Sequence, residues 1–220
     1  SVAGLAQTLG SGAMTNSMAD VDRADLIVVW GADPTENHSI FGGRILKAKL
    51  NGAKLVVVDP RRTRLARLAD LHLPLRLGSN IALANGLLHL IFREGWEAAD
   101  FLAARVDDVD RLKAHVAACT PELTAALTGI DPETLLAFAR MYAHADAAFL
   151  CYGMGITQFT SGTANVIALS NLVLACGQIG KPGAGINPLR GQNNVQGACD
   201  MGCLPNVYPG YQPVADAAVR

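Results

Sequence analysis

Residues 26–60 read LIVVWGADPTENHSIFGGRILKAKLNGAKLVVVDP. The two ends of this stretch, 26–31 and 54–60, are short apolar runs rich in branched side chains. They lack polar alternation, as strands covered on both faces do. Between them, Ile40, Phe41, Ile45, Leu46 and Leu50 recur at roughly helical spacing, and Asn51–Gly52 supplies a C-terminal stop. Strand, loop, helix and strand within about 35 residues make a βαβ unit, which requires a parallel pair.

The same alternation continues outward. AFLCYGMG (148–155) has the composition of a third buried strand, and a further strand is expected over 72–77. After it, GSNIALANGLLHLIFREG opens on a turn and runs as an apolar helix to Arg93. Helices are expected over 109–118 and 132–144, the second capped by Asp131 with Pro132 in its first turn. The apolar segment 163–176 carries Asn165, Ser170 and Asn171 and is too short to span a bilayer, so it reads as a buried helix. Strands alternating with helices predict an α/β fold, a Rossmann-like, doubly wound, mostly parallel sheet. From Gly191 no strand or helix period is visible, and Pro205, Pro209 and Pro213 interrupt the chain. The expected division is therefore 1–190 as the α/β domain and 191–220 as a crossing segment or the start of another domain.

Bulk properties narrow the function classes. Half of the 220 residues are apolar, 17% are charged and the formal net charge is −1. That balance argues against a sequence-independent nucleic-acid binder, and no basic run marks a membrane-surface patch. Five cysteines with no C-x-x-C pair do not form a disulfide framework, which favours reduced, cytoplasmic thiols. Cys199 and Cys203 read as small half-buried residues rather than a metal pair, and His89 as a satisfied boundary histidine. No signal peptide is visible. The opening SVAGLAQ, without methionine, suggests a piece of something longer.

Chemistry collects at the strand ends, where open parallel sheets bind ligands. Asp33 and Glu36 follow the first strand in GADPTENH. Asp59 ends the second, where dinucleotide folds place an acid, with Arg61 and Arg62 next. Gly78–Ser79–Asn80 precedes a helix whose first N–H groups suit an anion or a base edge. Neither G-x-G-x-x-G nor G-x-x-x-x-G-K-[ST] is present, so ordinary NAD or P-loop binding is not expected. NPLRGQNNVQGACDMG (187–202) has one arginine, Arg190, followed by four carboxamides (Gln192, Asn193, Asn194 and Gln196) and three glycines. A ligand held there would need a single fixed cation among many neutral donors and acceptors.

Taken together, GADPTENH, VVVDPRRTRLARLADLHL, LGSNIAL, GMGITQFTSG and RGQNNVQGACDMG resemble the molybdopterin-guanine-dinucleotide oxidoreductases, and within them the catalytic subunits of formate dehydrogenases. The resemblance covers essentially the whole chain. It implies that Asp33, Glu36, Asp59, Arg61, Gly78 and Asn80 hold one guanosine diphosphate moiety of a bis-molybdopterin guanine dinucleotide carrying Mo or W. It further implies that Gly153, Met154, Gly155 and Gln158 line the cofactor nearer the metal, that Gln192 lies beside the pterin and that Arg190 anchors formate. In relatives the cysteine or selenocysteine metal ligand and its following histidine come just before the stretch matching SVAGL, and the 4Fe-4S cysteines lie further upstream. The resemblance therefore places those groups outside this chain, with electron-transfer subunits as partners of the intact enzyme. Two other readings remain open: a molybdopterin enzyme reducing an oxyanion, and a non-catalytic nucleotide-binding module.

Overall fold

In the computed structural model, residues 1–219 are described. They fall into two compact units, Ser1–Leu189 and a second that starts at Arg190.

The first unit opens with α1 (Val2–Leu9) and a 3-10 segment, Met18–Arg23, then enters β1 (Leu26–Trp30). A short α2 (Pro34–Asn37) and α3 (Ser39–Leu50) lead to β2 (Lys54–Val58), α4 (Arg64–Leu68) and β3 (Leu71–Leu73). A helical block follows: α5 (Asn80–Arg93), α6 (Ala99–Arg105), α7 (Val109–Val116), α8 (Pro121–Thr128) and α9 (Pro132–Ala143). Then come β4 (Ala148–Tyr152), α10 (Met154–Thr157), α11 (Gly162–Ala175) and β5 (Gly185–Pro188). The second unit holds α12 (Val195–Asp200) and a small hairpin of β6 (Val207–Tyr208) and β7 (Gln212–Pro213).

The five strands of the first unit pair in parallel in the order β3-β2-β1-β4-β5. The central strands are buried from end to end because both faces are covered. Alternation separates the two layers. Ile27, Val29, Leu55, Val57, Phe149 and Cys151 pack with Phe41 and Ile45 of α3 and Leu65 of α4. Leu26, Val28, Trp30, Val56, Leu150 and Tyr152 pack against α5, α9 and α11. The doubly wound parallel sheet expected from the sequence is thus present. Its strand order reverses at β1, between the β2 and β4 neighbours.

Several boundaries differ from expectation. The strand expected over 72–77 is Leu71–Leu73; Pro74 has no N–H to extend the ladder, and Leu75 N turns back to Leu73 O (2.9 Å). Strand β5 was not anticipated. Its GINP sequence looks like a turn, yet Phe149↔Gly185 through Tyr152↔Pro188 are in register. Thr15 steadies the free edge: its N–H donates to Ile186 O (3.3 Å) and its Oγ1 accepts from Ile186 N (2.9 Å). Helix α8 also escaped notice, although Thr120 accepts from Leu123 N (3.3 Å), Pro121 opens it and Gly129 closes it at φ 79°. The segment after Gly191 is not structureless, since α12 forms there. With six residues and no apolar stripe, it leaves no helical period to read.

Cys199 is buried and Cys203 exposed, where both were expected half-buried. His89 Nδ1 lies 3.1 Å from Val116 O, a satisfied boundary histidine. No helix among the described residues is long and apolar enough to cross a membrane.

Candidate functional site

The site begins where β1 ends. Gly31, at φ 60°, bends the chain out of the strand while its N–H still donates to Val58 O (2.8 Å). The loop after β4 lies directly against it, with Gly155 N donating to Gly31 O (2.9 Å). A Cβ on Gly155 would stand 2.6 Å from Gly31 Cα and 2.8 Å from its carbonyl oxygen, so this backbone contact requires glycine. The two loops therefore meet at the point where strand order reverses, the position at which doubly wound sheets take ligands.

A buried polar tie fixes the floor. Trp30, at the end of β1, is fully buried, and its indole Nε1–H donates to Asn80 Oδ1 (2.9 Å). Asn80 Nδ2 in turn donates to Gly155 O (3.3 Å). Three segments far apart in sequence, the ends of β1 and β4 and the first turn of α5, are thereby joined through one carboxamide. Asn80 keeps one lone pair and one N–H beyond these bonds. The Ser79 hydroxyl donates to Arg76 O (2.6 Å) and makes no cap bond to α5.

Asp59 follows β2 and is only 4% exposed. Its Oδ1 accepts from the Arg61 backbone N–H (2.8 Å) and more loosely from Arg61 Nε (3.4 Å). This is an Asx turn, the local geometry expected of Asp two residues ahead of a donor. His72 Nε2 lies 2.9 Å from the Asp59 carbonyl oxygen. The second carboxylate oxygen, Oδ2, has no hydrogen-bond partner among the described residues. The Arg61 side chain is 67% exposed, so its long contact to Asp59 adds little stability and leaves the guanidinium available.

These groups border a crevice of about 470 Å³. Of the residues carried over from the sequence, Asp59, Arg61, Gly78, Asn80 and Gly155 line it together. Gly78 sits at φ 83° with open space where a Cβ would be. Arg76, Leu77 and Phe159 complete the wall and were not singled out by sequence reasoning. Trp30 was missed too; the available signal was a lone indole at the end of an otherwise aliphatic strand. Asp33, Glu36, Gly153, Met154 and Gln158 lie in and beside the short helices α2 and α10 that follow β1 and β4 but do not line the crevice. Asp33 Oδ1 accepts from Thr35 Oγ1 (2.7 Å), while Glu36, Met154 and Gln158 are exposed. Arg190, half-buried, and Gln192, exposed, belong to the second unit.

A larger recess of about 860 Å³ lies between α1, α6 and α11. It gathers none of the strand-end residues, and its charged members Arg105 and Asp107 are exposed. Size alone does not make it the site. The crevice combines a buried carboxylate, flanking guanidinium groups and glycine-lined backbone, which is the pattern of a small-ligand site.

Comparison with known proteins bears on the family and the fold. The family model for molybdopterin oxidoreductases matches residues 3–218. The alpha subunit of F420-dependent formate dehydrogenase 2 of Methanococcus maripaludis is 49% identical over 219 residues, covering 100% of this chain and 32% of the relative. Formate dehydrogenase H of Escherichia coli is 47% identical over 220 residues, covering 100% of this chain and 31% of the relative. Among solved structures, acetylene hydratase from Pelobacter acetylenicus superposes with a TM-score of 0.76 at 26% identity, over 84% of this chain and 25% of its own. The chain thus spans about a third of the length of the curated relatives it matches. With nearly every residue inside the family match, this chain belongs to the molybdopterin oxidoreductase family.

Proposed function

We propose that this chain is the part of a formate dehydrogenase catalytic subunit that holds one half of a bis-molybdopterin guanine dinucleotide cofactor. In this reading the whole enzyme oxidises formate to carbon dioxide by two electrons. The observation that carries it is the crevice, with buried Asp59 offering Oδ2 as an unused acceptor beside Arg61, Arg76 and Gly78.

The residues present fit such a group. Guanine offers N–H donors on one edge, and Asp59 Oδ2 is an acceptor on a carboxylate whose other oxygen is held by the Arg61 N–H. A diphosphate is bidentate and anionic, which suits the exposed Arg61 guanidinium once it leaves Asp59. The open backbone at Gly78 lets a ligand approach the first turn of α5, whose N–H groups favour negative charge. In this reading Asp33, Glu36, Gly153, Met154 and Gln158 contact the cofactor beyond the crevice, and Gln192 contacts the pterin. When bound, the cofactor with its Mo or W supplies the redox chemistry.

This chain's task is binding and orientation. Arg190 aligns the formate carboxylate, the positioning role of a carboxylate clamp. In the same reading a 4Fe-4S cluster and electron-transfer subunits take the electrons onward outside this chain, in the cytoplasm. Identity of 47–49% to formate dehydrogenases across the whole chain supports formate over an oxyanion substrate.

The test is made in the full-length, metal-loaded protein. Arg190→Ala should lower kcat/KM for formate roughly 10- to 100-fold, the worth of a charge-assisted pair at about 1.5–3 kcal/mol. Asp59→Ala should lower the metal and guanine nucleotide bound per chain. Unchanged kinetics in the first variant remove Arg190 from the substrate site; full occupancy in the second removes the crevice from the cofactor site.

A further inference from the structure

We propose that Tyr211 is a positioning residue for the Arg190 loop, holding α12 through its phenol so that the arginine is presented in one orientation. The inference rests on the reading of Arg190 as the formate clamp and goes beyond it by naming what holds the clamp's loop.

Within the second unit, Gly210 and Tyr211 stand consecutively at positive φ, 73° and 59°. Glycine adopts that region freely; tyrosine does not, and a bulky residue stays there only where its surroundings over-determine it. The surroundings here are a side-chain network on α12. Tyr211 Oη donates to Asp200 Oδ1 (2.8 Å), and Gln196 Nε2 donates both to Asp200 Oδ1 (3.1 Å) and to Tyr211 Oη (3.3 Å). Gln196 and Asp200 are one helical turn apart and so face the same side. The hydrogen bond to a carboxylate also pushes the Tyr211 phenol pKa up, as expected when the neutral donor is favoured.

A second contact fixes the same docking. α12 ends in a reversal at Gly202, φ 85°, with Cys203 N donating to Ala198 O (3.0 Å). A Cβ on Gly202 would meet Pro209 N at 2.5 Å, so the helix end lies against the backbone of the turn that carries Tyr211. At the other end, Asn194 enters the helix at φ 48°, and its carbonyl accepts from Ala198 N (3.0 Å). Its side chain lies over Gly197, where a Cβ would come within 2.6 Å of Nδ2. From Arg190 the chain reaches Asn194 in four peptide steps. The loop is pinned at its start, where Leu189 N donates to Tyr152 O (2.8 Å), and at its far end by α12, which is held by the turn through Tyr211 and Gly202.

The experiment uses the full-length holoenzyme. Tyr211→Phe keeps the ring and removes the hydroxyl. It should raise KM for formate about fivefold, the equivalent of one ordinary hydrogen bond at about 1 kcal/mol. Turnover at saturating formate and metal per chain should stay within about twofold. Asp200→Ala should match it, Asp200→Asn should restore most of the loss because it keeps an acceptor oxygen, and the Tyr211→Phe/Asp200→Ala pair should cost no more than either alone. Arg190→Lys in parallel separates the two levels. If it leaves KM unchanged, the clamp reading fails whatever Tyr211 does. If it raises KM while Tyr211→Phe does not, the positioning role is refuted. A Tyr211→Phe variant that loses metal and turnover with unchanged KM also refutes it, showing a role in cofactor retention instead.

Discussion

Replacing Trp30 by phenylalanine removes one hydrogen bond at the junction of three loops. The indole N–H is the donor to Asn80 Oδ1 at 2.9 Å, in a place where Trp30 is fully buried and Asn80 is 5% exposed. An acceptor left without its donor in such a setting costs about 1–3 kcal/mol. The smaller ring adds a cavity of roughly 40 Å³, worth about 1 kcal/mol at ~24 cal/mol per Å³. The expected loss is therefore about 2–4 kcal/mol, a fall in Tm of roughly 5–12 °C for a domain of this size. Guanidinium unfolding of the chain followed by far-ultraviolet circular dichroism measures it. A cycle with Asn80→Leu isolates the bond. Removing both partners strands neither side of the Trp30–Asn80 bond, and the lost Asn80–Gly155 bond is common to the single and double variants and cancels, so the double variant should be about 1–2 kcal/mol more stable than additivity predicts. A single-variant loss below about 0.5 kcal/mol, additive with Asn80→Leu, would show that the indole–carboxamide bond does not hold the crevice floor.

Gly155→Ala should destabilise by about 1–3 kcal/mol, since the methyl would press on Gly31 backbone at 2.6 Å. Gly43→Ala, a helical position with nothing within 4 Å, should instead stabilise by about 0.5–1 kcal/mol, and equal effects would contradict the close approach. Burial raises the Asp70 carboxyl pKa, but hydrogen bonds from Lys49 and the Leu55 N–H and the charges of Lys49 and Lys54 outweigh it and leave the pKa lowered. Its stabilisation is thus present above the unfolded aspartate pKa and is lost as pH falls through the folded value. Asp70→Asn should be less stable near neutrality, and the gap should close in acid; a gap independent of pH in denaturant titrations would exclude the ion pair as the cause. Burial pushes the Cys151 and Cys176 thiols up to about 12, so native-state alkylation should mark exposed Cys203 and spare both. Rapid labelling of Cys151 would contradict a fully covered β4.

The sequence by itself determined the fold class and which loops stand at the carboxyl edge of the sheet. Strands covered on both faces must be apolar throughout, so LIVVW, KLVVV and AFLCY announce themselves, and whatever follows them lies at the ligand-binding edge. Asp59, Arg61, Gly78, Asn80 and Gly155 were legible for that reason. Caps were legible where used, as at Asp131, whose Oδ1 accepts from Thr134 N (2.8 Å).

Only the tertiary structure decided how those loops meet. β5 is a strand because Thr15 and β4 flank it, and nothing within GINP specifies that. The bonds from Trp30 to Asn80 and from Asn80 to Gly155 span 50 and 75 residues, and no local pattern encodes such pairings. The left-handed Tyr211 is likewise held by Asp200 and Gln196, 11 and 15 residues away, against its own backbone preference. Local periodicity records which face of an element is buried; which distant groups share that burial depends on the pairing order of the sheet, and that order exists only once the chain has closed.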